Sequence, residues 1–273
     1  MAWFDWFRGR VVVVTGASSG IGRATALAFA SAGARVALVA RRRPELEALA
    51  AEAGGEPLVV PTDVTDRAAV AACFDRVSER FGRVDIVVNN AGVLKPALVL
   101  DLDARDLDAM LRVNLFGALY VMQEAVRRML AQGDGVVVNV ASLGGRRGVS
   151  PIGGYCATKF ALVGLTEALR EELHGKPVHV ALVEPGVVET PMVENVTQDA
   201  EFLDLWPQAL NMPPSWVVWA IFAAARFRLT ELSVPPGAGA LEKVAALAPG
   251  VSDALLHWTK SAAQWFARRP VRP

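Results

Sequence analysis

The chain has 273 residues, with 28 Lys and Arg against 28 Asp and Glu, and its hydrophobic and charged fractions are 53% and 21%. That is enough apolar material for a sizeable core, which excludes a disordered chain, and the zero net charge excludes a general nucleic-acid binder. Cys73 and Cys156 cannot form a disulfide framework, and two unpaired thiols suit a reducing cytoplasm.

Taken in chain order, the first segment, 1–9, is an aromatic extension with Trp3, Phe4, Trp6 and Phe7. It lacks the long apolar segment and small-residue cleavage site of a signal peptide. Up to about residue 190 the chain alternates between two periodicities. Short β-branched runs predict strands at Val11–Val14, Val36–Val39, Leu58–Val60, Ile86–Val88, Val136–Val140 and Val178–Val183. Longer Ala-, Leu- and Arg-rich stretches predict helices at Gly20–Ala32, Glu45–Ala53, Ala68–Phe81, Ala104–Leu130 and Tyr155–His174. Pro44 opens the second helix and Gly33 closes the first. Repeated strand–helix alternation predicts an α/β fold, a Rossmann-type doubly wound parallel sheet with helices on both faces, in one domain spanning 10–240. Beyond Thr190 the pattern loosens into a segment at 191–214 rich in large apolar residues. A helix is predicted at Pro214–Phe227, a last strand at Leu232–Val234 and a further helix at Gly250–Ala267. The longest strictly apolar run, Trp216–Ala225, has ten residues, about half of the ~20 that a bilayer span needs.

The segment 241–273 forms an amphipathic extension. Val251, Leu255, Trp258, Ala262 and Trp265 fall on one helical stripe, and four basic residues stand against Asp253 from 251 onward. Such a helix can cover the protein's own core, a partner subunit or a membrane surface, and all three readings stay open. The location expected is cytoplasmic, with peripheral membrane contact as one of those readings. The three histidines lack metal-ligand spacing, so no metal site is expected.

The strand at Val11–Val14 runs directly into Thr15-Gly16-Ala17-Ser18-Ser19-Gly20-Ile21-Gly22. Glycines at a strand-to-helix turn let bare backbone approach a pyrophosphate, and the helix N-terminus offers free N–H groups and a positive dipole end. Tyr155 and Lys159 stand four apart on a predicted helix, so their heads share one face. The 28 basic residues include five lysines, at 95, 159, 176, 243 and 260, which leaves 23 arginines. In a chain that defaults to Arg, a Lys at that spacing is informative.

Six motifs in order resemble the short-chain dehydrogenase/reductase family in its common form of about 250 residues. They are Thr15 to Gly22; Asn89-Asn90-Ala91-Gly92; Asn114; Ser142; Tyr155-Cys156-Ala157-Thr158-Lys159; and Pro185-Gly186 with Thr190 downstream. The resemblance implies an oxidoreductase exchanging a hydride between nicotinamide and an alcohol or ketone. Tyr155 would be the acid/base and Lys159 would lower its pKa. Ser142 would orient the substrate oxygen, and Asn114 would anchor a water linked to Lys159. It implies cofactor contacts from Gly16, Ser18, Ser19, Gly20, Ile21, Gly22, Asp63, Val64, Asn90, Ala91, Gly92, Tyr155, Lys159, Pro185, Gly186, Val188 and Thr190. Substrate contacts would come from Ser142, Leu143 and Tyr155, and a homo-oligomer is common in the family. Asp63 reads equally as a helix N-cap, and Ser142 on its own reads as a turn serine.

The second predicted strand ends Val39-Ala40-Arg41-Arg42. NAD enzymes of this fold commonly place a carboxylate there for the ribose 2′-hydroxyl, whereas an Arg suits a 2′-phosphate. Ala40 and Arg41 therefore predict NADP(H), with Arg41 as the main contact and Arg42 as a helper. The bland alternative is a solvated basic loop. Met192, Phe202, Leu203, Leu205, Trp206, Leu210 and Met212 suggest a lid over a hydrophobic alcohol or carbonyl substrate, although packing alone would also explain them. Two other functions stay open: an epimerase or dehydratase on the same fold, and a non-catalytic NADP(H)-binding sensor or scaffold.

Overall fold

The β-branched runs become seven strands in a computed structural model, which describes residues 4–197, 211–251 and 254. They are β1 (Val11–Thr15), β2 (Arg35–Ala40), β3 (Leu58–Pro61), β4 (Ile86–Asn89), β5 (Gly135–Val140), β6 (Val178–Pro185) and β7 (Glu231–Val234). They pair in parallel in the order β3-β2-β1-β4-β5-β6-β7. Continuous apolar strands are what such a sheet requires, because helices cover both faces. Successive β1 residues show the division. Val12 and Val14 belong to one core layer, under α1 (Gly20–Ser31) and α2 (Arg43–Ala53). Val11 and Val13 belong to the other, under α3 (Arg67–Phe81). The chain order reverses between β1 and β4, and a doubly wound sheet opens a crevice at the carboxyl ends of its strands at that point.

The helix expected over Ala104–Leu130 is divided. It consists of α4 (Ala104–Leu111), a π-helical segment (Arg112–Gly117) and α5 (Ala118–Gln132). Two side-chain demands accompany the break. Asn114 is fully buried and holds the backbone of Val93 through both its N–H and its carbonyl. Gly117 approaches Val64 so closely that a Cβ would stand 2.7 Å from Val64 Cγ2. Such π segments frequently occur at functional sites.

The remaining helices are α6 (Gly153–Glu172), α7 (Pro191–Thr197), α8 (Pro214–Phe227) and α9 (Ala238–Ala245). Helix α9 overlaps the amphipathic extension expected from 241, although its start at Ala238, in a Gly-, Ala- and Pro-rich stretch, was not expected. Of the helix expected over 250–267, residues 250, 251 and 254 are helical and the rest lie outside the described residues. The expected helix at Pro214–Phe227 is present as α8, and one face of the ten-residue apolar run inside it is core, while Trp216 and Trp219 are exposed. Val217, Ile221 and Phe222 are buried there. Among the described residues no helix is long and apolar enough to cross a membrane.

The aromatic N-terminus joins that core. Asp5–Phe7 forms one 3-10 turn, and Phe7 is fully buried with its ring centroid 4.5 Å from Phe222 and 5.2 Å from Phe29. Phe29 in turn stacks on Phe222 at 4.3 Å. Arg10 lies 3.6 Å over the Trp6 ring and Arg226 5.1 Å from it, an arrangement in which two guanidinium groups meet one indole face-on or nearly so.

Candidate active site

The glycine loop leaves β1 through Gly16, whose φ of +68° favours a residue without a Cβ. Gly22 is required for a different reason: a Cβ there would stand 2.3 Å from the Gly16 carbonyl oxygen. The loop is tied to the end of β4. The Thr15 hydroxyl accepts from the N–H groups of Asn90 (2.9 Å) and Ala91 (3.0 Å), and Asn90 Nδ2 donates to the Thr15 carbonyl at 3.0 Å. Helix α1 then starts with Ser19 as N-cap, and the Ser19 side chain makes no capping bond. The first N–H groups of α1 are therefore not capped by Ser19, which fits a site for a pyrophosphate.

At the end of β2, Ala40 is buried and Arg41 is exposed. Arg42 Nη2 donates to Ser18 Oγ at 3.0 Å and pairs with Glu45 at 3.3 Å, so it links the second strand's end to the glycine loop. Asp63 does not cap a helix. Its Oδ1 accepts from the backbone N–H and the hydroxyl of Thr65, both at 2.9 Å, while Asp66 caps α3. Val64 beside it is buried against Gly117.

The candidate reacting groups come from three elements. Helix α6 carries Tyr155 and Lys159 one turn apart, and Lys159 Nζ lies 5.6 Å from the Tyr155 ring centroid. Lys159 is 4% exposed and donates to the Val140 carbonyl at 3.0 Å. Burial lowers its ammonium from 10.5 to about 8. Burial also pushes the Tyr155 phenol well above its ordinary value, against a hydrogen bond with Ser142 that draws it down. In the protein alone, burial dominates the lowering that Lys159 was expected to exert. Ser142 caps the 3-10 turn Leu143–Gly145. Its Oγ accepts from Gly144 N at 3.0 Å and donates to the Pro185 carbonyl at 3.3 Å. Ser142 is thus both the turn serine of the bland reading and Tyr155's neighbour.

Asn114 stands behind Gly92. Its Nδ2 donates to Val93 O (2.9 Å) and Thr158 Oγ1 (3.0 Å), and its Oδ1 accepts from Val93 N (2.8 Å). Both amide hydrogens are therefore committed to protein. A Cβ on Gly92 would meet Asn114 Oδ1 at 3.4 Å and Lys159 Nζ at 3.8 Å. Below, Asn89, Asn139 and Thr166 form a buried chain of hydrogen bonds between β4, β5 and α6.

A cavity of about 290 Å³ opens where these elements meet. Of the residues singled out by sequence, Ile21, Asn90, Gly92, Ser142, Leu143, Tyr155, Lys159, Pro185, Gly186, Val188, Thr190 and Met192 line it. Gly16, Ser18, Ser19, Gly20, Gly22, Ala91, Arg41, Arg42, Asp63, Val64 and Asn114 do not. They belong to the glycine loop, to the ends of β2, β3 and β4, and to the π segment. Met212 is buried in the core layer. Phe202, Leu203, Leu205, Trp206 and Leu210 lie outside the described residues. Sequence reasoning missed Leu94, Val149, Ile152, Val187, Arg147 and Glu242, which also line the cavity. The first four carry no signal apart from hydrophobicity. Glu242 sits on α9, inside the extension expected from 241 but with no role expected for it.

A family model for short chain dehydrogenases matches residues 10–201. The 3-oxoacyl-[acyl-carrier-protein] reductase of Thermotoga maritima is 39% identical over 195 residues, covering 70% of this chain and 79% of that protein. The D-threitol dehydrogenase of Mycolicibacterium smegmatis is 42% identical over 187 residues, covering 67% and 72%. Among solved structures, the 3-ketoacyl-(acyl-carrier-protein) reductase of Brucella melitensis complexed with NADH superposes with a TM-score of 0.77 at 31% identity. It covers 84% of this chain and 97% of that one. The chain belongs to the short-chain dehydrogenase family of oxidoreductases, whose members bind nicotinamide cofactors.

Proposed function

We propose that the protein is an NADP(H)-dependent oxidoreductase that interconverts a hydrophobic secondary alcohol and its ketone. The observation that carries this reading is the convergence of Ser142, Tyr155 and Lys159 on one mainly apolar cavity beside the glycine loop. The uncapped start of α1 and the close approach of Gly16 and Gly22 fit a dinucleotide. Residues Gly16 to Gly22 would hold its pyrophosphate and Asp63 and Val64 its adenine end. Asn90 to Gly92, Tyr155, Lys159, Pro185, Gly186, Val188 and Thr190 would surround the nicotinamide half. When bound, the cofactor supplies or accepts the hydride.

This chain's own residues supply the rest. The Tyr155 hydroxyl, held protonated by burial, donates its proton to the carbonyl oxygen in the reductive direction and retrieves it in the oxidative one. Ser142 Oγ hydrogen-bonds the same oxygen and steadies charge as it develops. The Lys159 ammonium favours the phenolate that remains once the proton has left. Asn114 holds the Val93 backbone behind Gly92 and fixes the wall against which Lys159 is buried. Leu94, Leu143, Val149, Ile152 and Val187 make the wall apolar, which supports a hydrophobic substrate.

NADP(H) rather than NAD(H) is supported by exposed Arg41 following buried Ala40, with Arg42 already bonded to Ser18 of the glycine loop. Following the reduced-nicotinamide absorbance with a panel of apolar ketones tests the reaction. Tight NADPH binding without turnover of any member, in either direction, would assign the protein to cofactor sensing instead.

A further inference from the structure

A second charged cluster lies immediately behind the serine turn. Arg146 follows the 3-10 turn that Ser142 caps, and its guanidinium reaches three carboxylates. Nε stands 2.5 Å from Glu184 Oε1, Nη1 3.0 Å from Glu167 Oε1, and Nη2 3.1 Å from Glu231 Oε2. Glu184 is fully buried on β6 and directly precedes Pro185, whose carbonyl accepts the Ser142 hydroxyl. Glu231 opens β7 and also pairs with Lys243 of α9 at 2.5 Å. Arg147, the next residue, lies in the cavity wall 3.8 Å from Glu242 of α9, which lines the same cavity.

A buried ion pair of this kind is a poor device for stability, because desolvation opposes the Coulombic gain. What it does supply is fixed geometry. The pair joins the two backbone segments between which Ser142 Oγ is held, the turn at 143–145 and the end of β6. We propose that Arg146 and Glu184 are positioning residues that hold Ser142 Oγ at its hydrogen-bonding place beside Tyr155, and that tie α9 to the same turn. The proposal rests on the oxidoreductase reading, in which Ser142 touches the substrate oxygen.

The charges support it. Arg146 and Lys243 balance Glu167 and Glu231, and Glu184 is the surplus carboxylate. Burial raises Glu184, against the pull of Arg146, while Lys243 and Arg146 draw Glu231 below its ordinary value although burial opposes them. The Glu184 Oε2 atom is buried without a hydrogen-bond partner, and a Cβ on Gly239 would stand only 2.9 Å from it.

The test is a kinetic cycle. Arg146→Met combined with Glu184→Gln removes a cation and a carboxylate together, so no lone charge is left buried and the fold is kept. Expected is a fall in kcat of about 30-fold, with the NADPH dissociation constant unchanged within about twofold, as for a displaced orienting group. Adding the same pair of changes to Ser142→Ala should lower kcat less than about twofold further, because a device that acts through Ser142 has nothing left to position. Glu184→Ala should lose activity that Glu184→Gln largely restores. Multiplying losses in the Ser142→Ala background, or unchanged kcat in the Arg146→Met, Glu184→Gln protein, would overturn the proposal and leave the oxidoreductase reading intact. Absence of turnover in the unmodified protein, by contrast, would count against that reading itself.

Discussion

Replacing Lys159 by Met should destroy turnover and at the same time make the protein more stable. Lys159 is 4% exposed, and burial is the one cause acting on its ammonium, which falls from 10.5 to about 8. That difference corresponds to about 3 kcal/mol at ~1.4 kcal/mol per pH unit. The sign follows from proton linkage. Between pH 8 and 10.5 the unfolded chain binds the proton and the folded one does not, so stability rises through that window, and at pH 7 the folded protein bears the full penalty. Met keeps the aliphatic volume and removes the charge. It also removes the bond to the Val140 carbonyl, a loss of about 1–1.5 kcal/mol. The net gain at pH 7 is about 2 kcal/mol, or about 4–8 °C in Tm for a chain of this size. Thermal unfolding of cofactor-free protein, followed by circular dichroism at pH 7 and pH 10, measures it. The variant should melt higher at pH 7, and its advantage should shrink by pH 10. A lower Tm for the variant at pH 7 would refute the reasoning, because the ammonium would then be a net stabilising group in the cavity.

Tyr155→Phe should reduce kcat by at least about 100-fold while NADPH still binds, as judged by fluorescence titration. Retained turnover would show that the proton comes from elsewhere. Arg41→Asp should weaken NADPH by about tenfold or more and leave NADH nearly unaffected, since a carboxylate in place of the exposed guanidinium would repel a 2′-phosphate. Equal effects on both cofactors would remove Arg41 from the assignment. Phe7→Ala should destabilise the fold by about 3–5 kcal/mol, because the ring is fully buried between Phe29 and Phe222. The check is a denaturant midpoint, and an unchanged midpoint would reduce the aromatic N-terminus to an appendage.

The strands and the ends of most helices were legible because a parallel sheet covered on both faces writes itself as β-branched runs. Val11–Val14, for example, is apolar at every position. The candidate site was legible as far as it depends on spacing along one element, as with Tyr155 and Lys159 on α6 or the glycines of the first turn. What depends on contacts across the fold was not. The π segment arises where Asn114 meets Val93 and Gly117 meets Val64, partners 21 and 53 residues away in sequence. Arg146 and Glu184 read singly as a surface arginine and an odd acid inside an apolar strand. They become a buried pair through β5–β6 adjacency, which no local pattern records. The upward pull of burial on Tyr155 belongs to the same class, since spacing reports which groups are near but not how dry their surroundings are.

The Phe7–Phe222 contact joins residues 215 positions apart, taking 222 minus 7. Phe29 meets the same ring. During synthesis the first aromatic residues and α1 must therefore wait, their apolar faces uncovered, until α8 has left the ribosome. Early strands can pair among themselves, but this helical layer closes only after α8 has been made, when these long-range contacts become available. For that interval the nascent chain presents an aromatic surface that the finished protein hides, the kind of surface on which chaperones act.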